Sequence, residues 1–341
     1  MLKLSMDKVG ELFAKIAGNQ TLYLPIEKAE QVNFDRWEEG AKVRLDVLKT
    51  VKSAKDAFFP QNEDLARFKV EGKKIEIKEA RLVDEPFTVF GVRACDAKSF
   101  SDVLDRVFLS DPADPYYAAR REHGTIVTLA CCEPDDSCFC TAFGIDPAEP
   151  AGDVSAWVAE GEMYFKPVTE KGEKWVAAIA DMLAEGDEAA VEAKKADIRA
   201  KMAELPLADL NLDAFKGADL MEKFNDPQWK SLSEACLGCG TCTFVCPTCQ
   251  CYDIRDFDTG SGVQRYRCWD SCMYSDFTLM AHGNNRTSQV ERFRQRFMHK
   301  LVYFPENNEG VFSCVGCGRC VEKCPIHMNI VKVIKALGGK K

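Results

Sequence analysis

The stretches CLGCGTCTFVCP, residues 236–247, and CVGCGRCVEKCP, residues 314–325, carry one cysteine spacing twice: Cys236, Cys239, Cys242 and Cys246 before Pro247, then Cys314, Cys317, Cys320 and Cys324 before Pro325. In such a run a tight loop aims three thiolates at neighbouring irons of one [4Fe-4S] cubane, and the fourth Cys, before proline, reaches the other cluster. The spacing therefore assigns Cys236, Cys239, Cys242 and Cys324 to one cubane and Cys314, Cys317, Cys320 and Cys246 to a second. The two loops must then pack together. Gly238, Gly240, Gly316 and Gly318 stand between the ligands, where a missing Cβ permits positive φ and close approach to sulfide. Zinc on cysteine pairs is the competing reading, but zinc requires no doubled run ended by proline. Fully ligated cubanes offer no open iron, so their work is one-electron transfer.

The chain has 341 residues, far more than two clusters need, so something large precedes them. A net charge of −9, from 54 acidic and 45 basic residues, disfavours nucleic acid or anionic membrane as a main partner. No apolar run is long enough to cross a bilayer, so no direct membrane insertion is expected. The start, MLKLSMDKVGELFAKIAG, reads as an amphipathic first helix and not a signal peptide. Seventeen cysteines without an export signal point to metal ligation in a reducing cytoplasm rather than to disulfides.

The expected fold is mixed, α/β with α+β: an N-terminal α/β domain followed by a C-terminal, insertion-split bacterial two-cluster ferredoxin-like domain. Residues 1–225 form the first, with a helical extension and an additional cluster site; residues 226–341 form the second, with an insert of about 247–313. PFTVFGVRACD (86–96) and GTIVTLACC (124–132) are strand-length apolar runs ending at cysteine, and Phe100, Val103, Leu104, Val107 and Phe108 recur between them at helical spacing. VSAWVAEGEMYFKPV (154–168) reads as a hairpin turning at Gly161. Two helices follow, over 173–186 and 187–205, and residues 206–235 read as a linker. The insert is too long to be structureless.

The nine other cysteines are clustered. Cys95, Cys131, Cys138 and Cys140 fall at the ends of the two apolar runs and could hold a third cubane; Cys132 adjoins Cys131 and could replace it. Cys249, Cys251, Cys268 and Cys272, inside the insert, could form a fourth metal site or be buried free thiols. In NNRTSQVERFRQRFMHKL (284–301), Val290, Phe293, Phe297 and Leu301 share one helical face, with Arg292, Arg296 and Lys300 elsewhere. The plain reading is a core helix with a solvated basic side; the alternatives are an acidic partner or anionic clusters. His123, His282, His299 and His327 lie singly and are not read as ligands. No dinucleotide fingerprint or Walker loop is present, which places nucleotide and flavin binding on other subunits.

Taken in order, FGVRACDAKSF, LDRVFL, DPYYAARRE, CFCTAFG, CPTCQCYD, WDSCM and the two cysteine runs resemble one family over most of the chain. It is similar to the iron-sulfur subunit that cytosolic [NiFe] sulfhydrogenases, as their beta subunit, share with anaerobic sulfite reductase. The resemblance implies an electron-transfer subunit beside a flavin- and NAD(P)H-binding subunit. Electrons would pass to or from a catalytic subunit such as a hydrogenase, a sulfite reductase or a heterodisulfide-reductase-like protein. It also implies the third cluster at Cys95, Cys131, Cys138 and Cys140, although Thr141-Ala142-Phe143-Gly144 departs from the Ser-Met-Gly-type run of many relatives. Two other functions compete: a zinc-stabilised scaffold without redox role, and an N-terminal enzyme using a cubane with an open iron.

Overall fold

The computed structural model describes residues 1–338; the last three residues of the expected second domain, 339–341, lie outside them. Twelve strands carry the description: β1 (Leu2–Ser5), β2 (Thr21–Lys28), β3 (Gln31–Arg36), β4 (Asn62–Glu71), β5 (Lys74–Glu79), β6 (Phe87–Val92), β7 (Gly124–Leu129), β8 (Val154–Ala159), β9 (Glu162–Pro167), β10 (Ala184–Glu185), β11 (Tyr252–Asp258) and β12 (Val263–Trp269). The helices that matter for the site are α1 (Val9–Ala17), α2 (Ala94–Ser99), α3 (Glu170–Ala177), α4 (Glu188–Ala203), α5 (Thr241–Phe244), α6 (Gln289–Met298), α7 (Arg319–Glu322) and α8 (Ile330–Leu337).

One sheet has the order β10-β1-β9-β8-β7-β6-β2-β3. Its centre, β2-β6-β7-β8, is parallel, and the hairpins β2-β3 and β8-β9 add antiparallel flanks. A parallel centre needs cover on both faces, and side-chain alternation supplies it. Phe90, Val127 and Leu129 face Leu12, Phe13 and Ile16 of α1 and Trp175 of α3. Phe87, Val89, Val92 and Ile126 face Phe58, Phe100, Leu104 and Tyr117. Each such side chain, fully buried, is worth roughly 1.5–3 kcal/mol. The sheet's purpose is positional: β6 delivers the chain to Cys95 at the start of α2, and β7 delivers it to Cys131.

Three local expectations change. Residues 2–5 are a strand, not the first turn of a helix, because they pair with β9 and β10 at the sheet edge. The helix expected over 173–186 ends at Ala177 and gives way to a short turn of helix at Ala180–Met182 and then β10. Residues 206–235 are no loose linker: Leu210, Leu212, Phe215 and Trp229 are buried against α6 and α8.

A second sheet, β11-β12-β4-β5, is antiparallel throughout. Its first two strands come from the 247–313 segment and its last two from the N-terminal region. Arg267 of β12 donates to Glu63 of β4 from Nε at 2.9 Å, and both side chains are buried. Trp269, at the end of β12, stacks on Phe59 and donates from Nε1 to the Phe59 carbonyl at 3.1 Å. Among the described residues no helix is long and apolar enough to cross a membrane.

Candidate iron-sulfur sites

The two cysteine runs fold alike. In each, the glycine between the second and third cysteines takes the left-handed conformation, Gly240 at φ 73° and Gly318 at φ 78°, and serves as N-cap of a one-turn helix, α5 or α7. A side chain at that φ is strained, so glycine is what lets three cysteines wrap one space. A cavity of about 410 Å³ is lined by Cys236, Cys239, Cys242 and Cys324. A second, of about 330 Å³, is lined by Cys246, Cys314, Cys317 and Cys320. Each loop thus gives three thiols to one cavity and its fourth to the other. All seventeen cysteines are free thiols.

The N-terminal thiols gather beside the second cavity. Cys140 lies within electrostatic reach of Cys131, Cys138 and Cys317, and Cys95 within reach of Cys140 and Cys317. Phe139, between the two cysteines of its loop, lines the second cavity and donates its N–H to the Gly316 carbonyl at 3.1 Å. The contact is so close that a Cβ on Gly316 would stand 2.4 Å from the Phe139 oxygen. Lys49 ties the same edge by bonding Asp135, Ser137 and Glu322. Cys132 lies beside Cys131 with its Sγ 3.9 Å from the Ala130 carbonyl.

In the 247–313 segment the thiols divide. The Cys249 side chain meets Cys246, the Cys251 side chain meets Cys272, and Cys251 feels Cys249. Cys268 stands apart on β12, opposite Asp253, with Arg255, Asp253 and Asp270 as its charged neighbours. Three of the four are therefore brought together and one is not. Among the described residues no group of three or more His, Cys, Asp or Glu side chains is set to hold a single metal ion.

Residues 235–328 match the family model described as a 4Fe-4S dicluster domain. A relative, sulfhydrogenase 2 subunit beta of Pyrococcus furiosus, is 34% identical over 336 residues, 98% of this chain and 97% of that protein. The chain belongs to the sulfhydrogenase beta-subunit family. No solved structure gives a significant match.

In this family member the thiols suit clusters by their chemistry as well as their placement. Burial pushes Cys131 up to about 11 and Cys242 and Cys314 to about 12, so these thiols are protonated in the metal-free chain and release protons on binding iron. Cys239, the exposed one, is lowered by the Thr241 hydroxyl 3.4 Å away. Buried cations oppose the burial. Arg296 and Lys300 are 2% and 3% exposed, where a solvated basic side was the plain expectation. Arg296 borders both cavities and Lys300 the second. Lys55 escaped the sequence reading because nothing near it in the chain marks it; it is buried, donates to the Cys249 carbonyl at 2.8 Å and sits 3.7 Å over the Trp269 ring. Cationic donors facing buried thiols are what anionic iron-sulfur groups need.

Proposed function

We propose that this chain is the iron-sulfur electron-transfer subunit of a cytoplasmic multisubunit oxidoreductase. It relays single electrons between two partners, one binding flavin and NAD(P)H, the other a catalytic subunit of the hydrogenase, sulfite reductase or heterodisulfide-reductase-like kind. The observation that carries the reading is the serial adjacency of cysteine sets: Cys95 and Cys140 beside Cys317, and Arg296 shared by the cavity of Cys317 and the cavity of Cys239. The partners follow from the relative, itself a sulfhydrogenase subunit.

One-electron transfer is the chemistry [4Fe-4S] groups supply when bound. Cys236, Cys239, Cys242 and Cys324 would hold one, Cys314, Cys317, Cys320 and Cys246 a second, and Cys95, Cys131, Cys138 and Cys140 a third. Phe139 and Val315 keep the inner set dry, while Leu237, 66% exposed, and Cys239 leave the first set near the surface where a partner can dock. The matching glycine caps of the two loops support a ferredoxin-like unit within residues 226–341, split by an insert of about 247–313. Cys249, Cys251 and Cys272 enter this reading as buried thiols near the second set; a fourth metal site with Cys268 lacks that residue's proximity.

The test is metal and sulfide content of anaerobically purified protein. Three cubanes require about twelve irons per chain and two require about eight. The expected result is brown protein with about twelve irons, bleached by dithionite, and loss of about four irons in Cys138→Ser or Cys140→Ser. Colourless protein containing zinc would overturn the relay, and an unchanged iron count in both variants would remove the third cluster.

A further inference from the structure

Helix α6 is held rigidly. Ser288 caps it in a reciprocal capping box with Glu291, and Phe293 and Phe297 are buried below it. Arg296 and Lys300, four residues apart, share a face that looks not at solvent but at the cysteine cavities. The helix widens to a π-type turn over His299–Tyr303, where Lys300 sits, a distortion that favours functional positions.

The bonding of the two cations differs. Lys300 Nζ is satisfied by Thr248 Oγ1 at 2.7 Å and the Ser313 carbonyl at 2.9 Å, behind the second cavity only. Arg296 donates from Nη2 to the Cys242 carbonyl at 3.2 Å, but its Nε and Nη1 are buried with no partner. A guanidinium without water, carboxylate or carbonyl on two of its nitrogens is costly unless something anionic meets it. The neighbours that favour its charge are Cys242 on one side and Cys320 and Cys246 on the other, one thiol set on each flank.

We infer that Arg296 is a positioning residue shared by both cysteine cavities: its fixed positive charge stabilises the reduced state at each, and Lys300 does the same at the second alone. The inference rests on the electron-relay reading. Reduction adds negative charge to a site, and a cation held close in a low-dielectric interior favours that state, so it raises the potential. Removing the cation lowers it. One charge serving both sites also brings their potentials down or up together, which keeps transfer between them near balance.

The experiment is potentiometric titration, followed by electron paramagnetic resonance, on the anaerobically purified full chain and its Arg296→Gln, Arg296→Lys and Lys300→Met variants, with iron counted in each. The expected result is two midpoint potentials shifted to more negative values in Arg296→Gln, both near wild type in Arg296→Lys, and one shifted in Lys300→Met. If Arg296→Gln loses iron while Arg296→Lys keeps it, the charge is required even to hold the clusters, which also supports the inference. Fully loaded Arg296→Gln with unchanged potentials overturns the inference and leaves the relay reading intact. Loss of iron in both Arg296 variants overturns it too, since shape and not charge would then be at work. Wild-type protein without the roughly eight irons of two cubanes would sink the relay reading and this inference with it.

Discussion

Asp96 and Arg319 form a bidentate ion pair, Nη1 to Oδ1 at 2.5 Å and Nη2 to Oδ2 at 2.7 Å, between side chains that are 1% and 2% exposed. Asp96 follows Cys95 and Arg319 precedes Cys320, so the pair bolts the N-terminal thiol set to the second cysteine loop. Arg319 Nε adds a bond to the Thr50 carbonyl at 2.9 Å. Burial works against the guanidinium, and Asp96 outweighs it.

Breaking this pair from one side leaves a buried charge unpaired. Asp96→Asn should destabilise the protein by about 3–5 kcal/mol, and Asp96→Leu with Arg319→Met should recover much of that loss. Anaerobic thermal unfolding of the three proteins measures it; an unchanged midpoint in Asp96→Asn would show that the pair contributes nothing.

Gly316→Ala strikes the same junction from the backbone. Its Cβ would need to displace the Phe139 carbonyl from 2.4 Å at a φ of 59°, whereas Gly144→Ala, in the neighbouring loop, meets nothing within 4 Å at a φ of 72°. Both variants carry backbone strain, but Gly316→Ala should cost more than about 1 kcal/mol beyond Gly144→Ala. Chemical denaturation compares them, and equal losses would mean that close approach is not the constraint.

Trp269→Ala tests how the 247–313 segment is fastened. The ring packs on Phe59, lies under Lys55 and donates to the Phe59 carbonyl. Truncation should cost about 3–5 kcal/mol and speed hydrogen exchange along β12 and β4 before the parallel sheet is affected. Uniform acceleration everywhere would instead place Trp269 in the global core.

His299 makes stability depend on pH. Burial, with Lys300 and Arg286 adding repulsion, lowers its pKa from 6.5 to about 4. The folded imidazole stays neutral while the unfolded one binds a proton, so its contribution is full above pH 6.5 and is lost as pH falls toward 4. Between pH 6.5 and 5.5 the loss should be about 1 kcal/mol, and His299→Gln should flatten that slope. Identical slopes in unfolding midpoints would assign the pH dependence elsewhere.

Much of the site was legible in the chain because it is built from short-range chemistry. The doubled cysteine spacing depends on what a short loop can wrap, and the strands at 87–92 and 124–129 are marked by β-branched runs within a few residues of Cys95 and Cys131. The apolar face of α6 is likewise local: Phe293, Phe297 and Leu301 lie inward as their spacing requires.

The sequence by itself determined which residue types could hold iron and how each loop would fold around them. The tertiary structure alone decided which loop meets which. Periodicity says that Arg296 and Lys300 avoid the apolar face of α6, but whether the other face meets water or thiols depends on Cys242, Cys246 and Cys320, which approach from distant parts of the chain. Cys268 and Cys272 are close in sequence, yet strand β12 commits the first to a sheet with β4 while the second turns back to Cys251. The physical reason is the same in each case. Local sterics and hydrogen bonding set a loop's shape within a few residues, whereas burial and charge depend on partners that only the folded chain brings near.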